Sequence, residues 1–202
     1  MRKRRRKKPI QLELPRHGGR RKGAGRPRTK GIVLHRTRPE HQERFPLHVV
    51  LRVRRDVGSL RTDRRFAPIK RGFRYGCDRF GMRMCEFSVQ DNHIHLIVEA
   101  RDKDALSRGM QGLEIRLAKG INRAANRKGK VFAERYFARP LRTVAEVRNA
   151  VDYVRKNVVK HRGEDPRTVD EFSSMSGLAR WWSDSVFVIA APRSWLLRRI
   201  QC

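Results

Sequence analysis

Two histidines at alternate positions are the residues of this sequence with the most distinctive chemistry. His93 and His95 alternate with apolar residues in the stretch 91–99, which is the pattern of a β-strand. The apolar side of the strand consists of Ile94, Leu96 and Val98. Both imidazoles therefore point to the other side, about 6 to 7 Å apart, where one metal ion can bridge two ring nitrogens. Two ligands do not define a metal site, so an ordinary pair of half-exposed histidines is the alternative.

A tyrosine on a later helix is the second candidate for chemistry. A capping box at residues 143–146 predicts a helix that runs to about residue 160. The predicted buried stripe of this helix consists of Val144, Val147, Val151, Val154 and Val158. Tyr153 lies two residues from Val151, so it points roughly 200° away from the stripe, on the same outer face as Asn157. A core tyrosine would lie on the stripe, and this placement therefore favours a functional role for Tyr153.

These residues need a sheet and a following helix to bring them together. The predicted order of elements is strand, helix, strand, strand, helix and strand, followed by one more helix. This is the ferredoxin-like α+β arrangement, an antiparallel sheet with an added C-terminal helix. A turn at residues 90–92 joins the histidine strand to the preceding strand as an antiparallel hairpin. The predicted strands cover residues 47–53, 82–89, 93–99 and 135–141, and apolar helical stripes lie within residues 66–77, 103–127 and 143–160.

The charge balance indicates a polyanionic partner. The chain has 202 residues, with 50 Lys and Arg against 20 Asp and Glu, so its formal net charge is +30 and nucleic acid is the expected partner. No apolar run approaches the roughly 20 residues of a membrane-spanning helix, and the charged N-terminus lacks the apolar region of a signal peptide. We therefore expect a cytoplasmic, nucleoid-associated protein without a membrane partner. The spacing of Cys77, Cys85 and Cys202 indicates free thiols.

Composition divides the chain into three regions. Residues 1–44 are predicted to be a disordered basic arm, residues 45–162 a folded domain, and residues 163–202 a C-terminal extension. The arm segment 25–27 resembles the core of an AT-hook, in which an arginine lies in a narrow minor groove of DNA. A non-specific phosphate-binding arm is the simpler alternative. The predicted DNA-binding residues are Arg4, Arg5, Arg6, Lys7, Arg26 and Arg28.

The histidine strand and the tyrosine helix together resemble a known enzyme family. Residues 92–97 resemble the HUH motif (histidine, bulky apolar residue, histidine) of the single-tyrosine transposases, in particular the bacterial REP-associated tyrosine transposases. The resemblance covers residues 45–162, and it implies that Tyr153 attacks single-stranded DNA at a hairpin foot to leave a 5′-phosphotyrosine. It also implies that Asn157 joins His93 and His95 as ligands of Mg²⁺ or Mn²⁺, although two histidines judged alone would suggest zinc.

Two other functions fit parts of the pattern. A ferredoxin-like sheet on a basic body is also the RNA-recognition (RRM-like) architecture, so a non-catalytic nucleic-acid-binding protein is one alternative. Residues 71–76 imitate an RNP segment, but they fall in a predicted helix rather than in a central strand. A replication-initiator or relaxase nuclease is the other alternative, although such enzymes usually have longer chains. Whether the protein is a monomer or a homodimer is left open by the sequence.

Overall fold

The fold is built on an antiparallel sheet of five strands. The strands are β1 (Leu47–Arg52), β2 (Asp78–Arg79), β3 (Met82–Val89), β4 (His93–Ala100) and β5 (Phe137–Pro140). Their order across the sheet is β2-β3-β4-β1-β5, so the histidine strand β4 is central and pairs with both β3 and β1. The computed structural model of the chain describes residues 39–157, 165, 169–175 and 189–201. The predicted DNA-binding residues of the arm lie outside these ranges.

Helices cover both faces of the sheet. They are α1 (Asp63–Gly76), α2 (Lys103–Ala124), α3 (Val144–Arg155) and α4 (Trp195–Gln201), with a short 3-10 helix at Arg55–Val57. Leu96 shares one core with α1 and α2, whereas its neighbour Ile97 shares a second core with α3 and α4. Since neighbouring residues of a strand face opposite sides, the two helix pairs lie on opposite faces. The predicted ferredoxin-like α+β fold is confirmed.

The predicted apolar stripes form the two cores. The first core contains Phe66, Ile69 and Phe73 of α1 and Leu106, Met110, Leu113, Leu117 and Ile121 of α2. Cys77 and Cys85 are buried and neither forms a disulfide, as predicted, and burial raises the pKa of both thiols. Within the described residues, no helix combines the length and the apolar character needed to cross a membrane.

The helix that carries the tyrosine begins as predicted but ends earlier. The side chain of Thr143 accepts a hydrogen bond from the Glu146 amide, and Glu146 in turn accepts from the Thr143 amide, which completes the capping box. The buried residues of α3 are Val147, Ala150, Val151 and Val154. The helix predicted to run to about residue 160 is interrupted, because α3 ends at Arg155, Lys156 has a non-helical ψ of 17°, and helical backbone resumes at Asn157. Residues 158–164, and with them Val158, lie outside the described residues.

The described parts of the C-terminal extension pack on the domain. The amide of Val89 donates to the Phe172 carbonyl at 2.8 Å, and the amide of Ser174 donates to the Phe87 carbonyl at 2.9 Å. These bonds lie along the edge of β3 that faces away from β4. The backbone groups of this edge therefore have partners supplied by a segment far away in the sequence.

Candidate active site

The predicted histidines and the tyrosine meet on the α3 face of the sheet. The ring centroids of His93 and His95 are 4.7 Å apart and nearly perpendicular. The Tyr153 ring lies edge-on to His95, at a centroid separation of 5.2 Å. His95 is buried, whereas His93 and Tyr153 are half-buried and so within reach of a ligand. Strand β4 and helix α3 thus bring together residues from two segments that are about sixty positions apart in the chain.

A third histidine completes this group, and sequence reasoning missed it. The Nε2 of His48 and the Nδ1 of His95 share a hydrogen bond of 3.0 Å, and the two rings stack at 5.2 Å. His48 also lies 6.1 Å from the Tyr153 ring. It is on β1, two residues before Val50, which is the partner of His95 in the β1–β4 register. The alternation of His48 with Leu47 and Val49 could have indicated its face, but not this neighbour.

His48 is neutral at physiological pH. Burial lowers its pKa from an ordinary 6.5 to about 4, and the Arg139 charge lowers the pKa further in the same direction. A neutral imidazole offers one N–H donor and one nitrogen lone pair, so it can share a hydrogen bond with a second neutral ring. Because His48 is neutral, the His48–His95 contact is not a repulsive pair of cations.

The tautomer of His93 is set by its neighbour in the turn. Nδ1 of His93 lies 2.7 Å from Oδ1 of Asn92, and an amide oxygen can only accept a hydrogen bond. Nδ1 therefore carries the proton, and the lone pair of the ring is on Nε2. Donation of one ring N–H to an oxygen is the usual arrangement of a metal-ligating histidine.

The C-terminal end of α3 is anchored to the sheet by a buried acidic group. Glu86 is 1% exposed, and its carboxylate accepts hydrogen bonds from the Arg155 guanidinium and from the Ser174 hydroxyl. Glu86 lies where the β3–β4 register shifts, between Met84 and Glu86. Because Arg155 is two residues from Tyr153, this ion pair holds the part of α3 that carries the tyrosine against β3.

Asn157, the third ligand implied by the family resemblance, is placed differently from the other site residues. It is fully buried, so the expectation that it shares an exposed face with Tyr153 is wrong. The turn at Lys156 separates it from α3. Among the described residues its Oδ1 and Nδ2 have no hydrogen-bond partner, so no such bond links it to the histidines. A buried amide without a partner is costly, and a ligand would remove that cost.

The donor set fits a divalent ion only if it includes Asn157 or the substrate. Within the described part of the chain, no group of three or more His, Cys, Asp or Glu side chains could hold a metal ion. The donors that the family resemblance implies are the two imidazoles of β4 and the amide of Asn157, a neutral set that leaves positions open for phosphate oxygens. These residue types are compatible with a divalent ion that binds together with a nucleic-acid phosphate.

Comparison with known proteins assigns the chain to a family. The family model described as "Transposase IS200 like" matches residues 41–157, which include every residue of the site. No curated protein matches the sequence. A solved structure of a REP-associated tyrosine transposase bound to a REP hairpin aligns with a TM-score of 0.56 at 17% identity, over 70% of this chain and 82% of that one. At this identity the likeness supports the fold alone. Because the family match covers more than half of the chain, the protein belongs to the IS200-like transposase family.

Proposed function

We propose that this transposase cleaves and rejoins single-stranded DNA at the foot of a hairpin, with Tyr153 as the nucleophile. The observation that carries the proposal is the 5.2 Å ring contact between Tyr153 and His95, inside the segment that matches the family. The half-buried tyrosine is fixed by helix α3, and the phosphate that it attacks would lie over the histidine pair. The hairpin-bound state of the similar solved structure supports a hairpin substrate.

The proposed reaction is a transesterification. Oη of Tyr153 forms a bond to the scissile phosphorus while the bond from phosphorus to the 3′ oxygen breaks. The phenol proton leaves to a base, and the departing 3′ oxygen takes up a proton to become a free hydroxyl. The product is a 5′-phosphotyrosine, in which a phosphodiester linkage is kept, so the rejoining step needs no ATP.

We further propose that His93 and His95 hold Mg²⁺ or Mn²⁺, with Asn157 as the third protein ligand. A divalent ion bound there supplies Lewis-acid polarisation of the scissile phosphate. Asn92 orients the ring of His93, and His48 orients the ring of His95 through the 3.0 Å hydrogen bond. If Nδ1 of His95 donates to Nε2 of His48, the lone pair of His95 is on Nε2, as it is in His93.

The basic arm is proposed to bind DNA phosphates away from the site. The residues assigned to this role are Arg4, Arg5, Arg6, Lys7, Arg26 and Arg28. Their charge contributes to affinity by counterion release, which carries no sequence information. We propose that the protein acts in the cytoplasm, associated with the nucleoid, as a monomer or a homodimer.

The test is the formation of a covalent protein–DNA adduct. Purified protein is incubated with labelled hairpin oligonucleotides in Mg²⁺, Mn²⁺ or EDTA and then separated by denaturing electrophoresis. We expect a metal-dependent adduct that maps by mass spectrometry to Tyr153 and disappears in Tyr153→Phe. Tyr136→Phe, a matched loss of one phenol oxygen outside the site, should retain it. An adduct at another tyrosine would contradict the assignment, and DNA binding without any adduct would favour a non-catalytic binding protein.

A further inference from the structure

A basic groove lies between α1 and α2, on the face of the sheet opposite the histidines. It has a volume of about 390 Å³. Its lining residues are Ala67, Pro68, Arg71, Gly72 and Tyr75 of α1 and Arg116, Lys119, Gly120, Arg123 and Ala124 of α2. The lining thus contains four cations and no carboxylate. We call it the α1–α2 groove.

The floor of the groove is formed by close contact between the two helices. A Cβ built on Gly72 would lie 2.8 Å from Leu117 Cδ2, and one built on Gly120 would lie 2.9 Å from Pro68 Cβ. Larger side chains at the two glycines would push the helices apart. The floor therefore consists of small residues, and the walls consist of the long Arg and Lys side chains. Arg71 of α1 lies across the groove from the cations of α2.

Within the part of the chain that the structure describes, the cations of the groove have no anionic partner. Arg116, Lys119 and Arg123 are exposed, and among the described residues neither they nor Arg71 forms an ion pair or a side-chain hydrogen bond. Other basic residues nearby are paired: for example, Arg127 contacts Asp56 at 2.9 Å. The groove is thus a concentration of uncompensated positive charge, which attracts an anionic ligand.

The spacing of the cations fits a nucleic-acid backbone. Positions 116, 119 and 123 lie on one side of α2 and span about 10 Å at a rise of about 1.5 Å per residue. One strand of a DNA duplex presents a phosphate about every 3.4 Å along its axis, so roughly three phosphates face this length of helix. Three adjacent cations on a rigid element match this repeat.

We propose that the α1–α2 groove binds the phosphate backbone of the DNA substrate outside the segment that is cleaved. The choice of DNA rests on the proposed function, since the charge alone would accept any polyanion. The helix layer alone is about 10 Å thick, so the groove and the histidine face cannot hold the same nucleotides. The groove gives affinity without reading bases, and it positions the part of the substrate that flanks the cleavage site.

The test compares two triple variants of the full chain that lose the same charge. The groove variant is Arg116→Gln, Lys119→Gln and Arg123→Gln, and the control is Arg79→Gln, Arg108→Gln and Lys128→Gln, which are exposed cations outside the groove. Binding of a long hairpin oligonucleotide with flanking DNA is measured by fluorescence anisotropy from about 50 to 200 mM salt. The slope of log K against log salt is negative, and we expect its magnitude to fall by about 3 in the groove variant and by less than 1 in the control.

Two further measurements distinguish a failure of this proposal from a failure of the proposed function. Lys119→Gln alone should reduce the magnitude of the slope by about 1, and this single variant avoids dependence on the triple variant being stably folded. On a short oligonucleotide that covers only the cleavage site, the groove variant should form as much adduct as the wild type. On the long substrate at limiting protein, the groove variant should form less adduct than the wild type. Equal slopes in the groove and control variants would overturn the proposal. If the wild-type protein forms no adduct but the groove and control variants still differ in slope, the proposed chemistry is wrong and the proposal for the groove stands.

Discussion

The rings of His48 and His95 lie 5.2 Å apart across the β1–β4 pair and share a hydrogen bond of 3.0 Å. His95 also contacts the edges of His93 and Tyr153, so three aromatic rings fix its orientation. A single ring thus connects the candidate metal ligands with the candidate nucleophile. Any change that rotates His95 is therefore expected to affect both metal binding and cleavage.

The burial of His48 predicts a dependence of stability on pH. Its pKa is about 4 in the folded protein and about 6.5 in an unfolded chain, so the unfolded state binds more protons between these values. The free energy of unfolding should therefore fall as the pH decreases from about 6.5 to 4, by roughly 3 kcal/mol from this residue. Urea unfolding at several pH values in metal-free buffer measures this free energy. The curve of His48→Gln should be flatter, and parallel curves would contradict the role given to burial.

The two histidines of β4 should differ in what they contribute to stability. His93→Ala should abolish the adduct with little change in unfolding free energy, because the side chain is half-exposed. His95→Ala should abolish the adduct and also cost about 1 to 3 kcal/mol, because it leaves a cavity and removes the partner of His48. Thermal and urea unfolding, measured beside adduct yield, check the difference. Equal destabilisation by both substitutions would favour a purely structural histidine pair.

The hydrogen bond from His93 to Asn92 predicts an effect on metal affinity. Asn92→Ala removes the acceptor that holds the proton on Nδ1, and loss of such a partner typically weakens metal binding about 10- to 100-fold. Titration with Mn²⁺ followed by electron paramagnetic resonance measures this without any DNA. Asn149→Ala, an exposed amide on α3, is the matched control and should leave the affinity unchanged. Unchanged affinity in both variants would argue against His93 as a ligand.

A buried ion pair predicts that the C-terminal extension stabilises the domain. The Arg61 guanidinium donates two hydrogen bonds to the Asp170 carboxylate, at 2.7 and 3.0 Å, and both side chains are buried. Asp170→Asn should lower the unfolding free energy by about 3 kcal/mol, because it leaves a buried cation without its counterion. Asp56→Asn, which breaks exposed ion pairs, should have little effect on urea unfolding. Similar effects of the two substitutions would contradict this assignment.

Local patterns in the sequence were sufficient to predict most of the fold. The capping box at Thr143, the buried Val147, Val151 and Val154 of α3, and the hairpin before His93 all depend on residues close together in the chain, and the structure has each of them. The alternation at 93–95 likewise predicted that the two imidazoles lie on one face of the sheet, and Tyr153 contacts His95 on that face.

Features that depend on long-range register could not be predicted in this way. His48 meets His95 only because β1 pairs with β4 in one particular register, which no local pattern determines. The end of α3 at Arg155 coincides with its ion pair to Glu86, a residue about seventy positions earlier. The burial of Asn157 could not be read from helical periodicity, because the turn at Lys156 interrupts the helix.

The partners that residues 170–174 supply to the domain also constrain when the protein can fold during synthesis. His93, His95 and Tyr153 leave the ribosome before Asp170 and Ser174, which provide the counterion of Arg61 and cover the outer edge of β3. A nascent chain that ends before these residues has an open strand edge and a desolvated cation, both of which disfavour the native state. We therefore expect the group formed by His93, His95 and Tyr153 to assemble only after residues 170–174 have been synthesised.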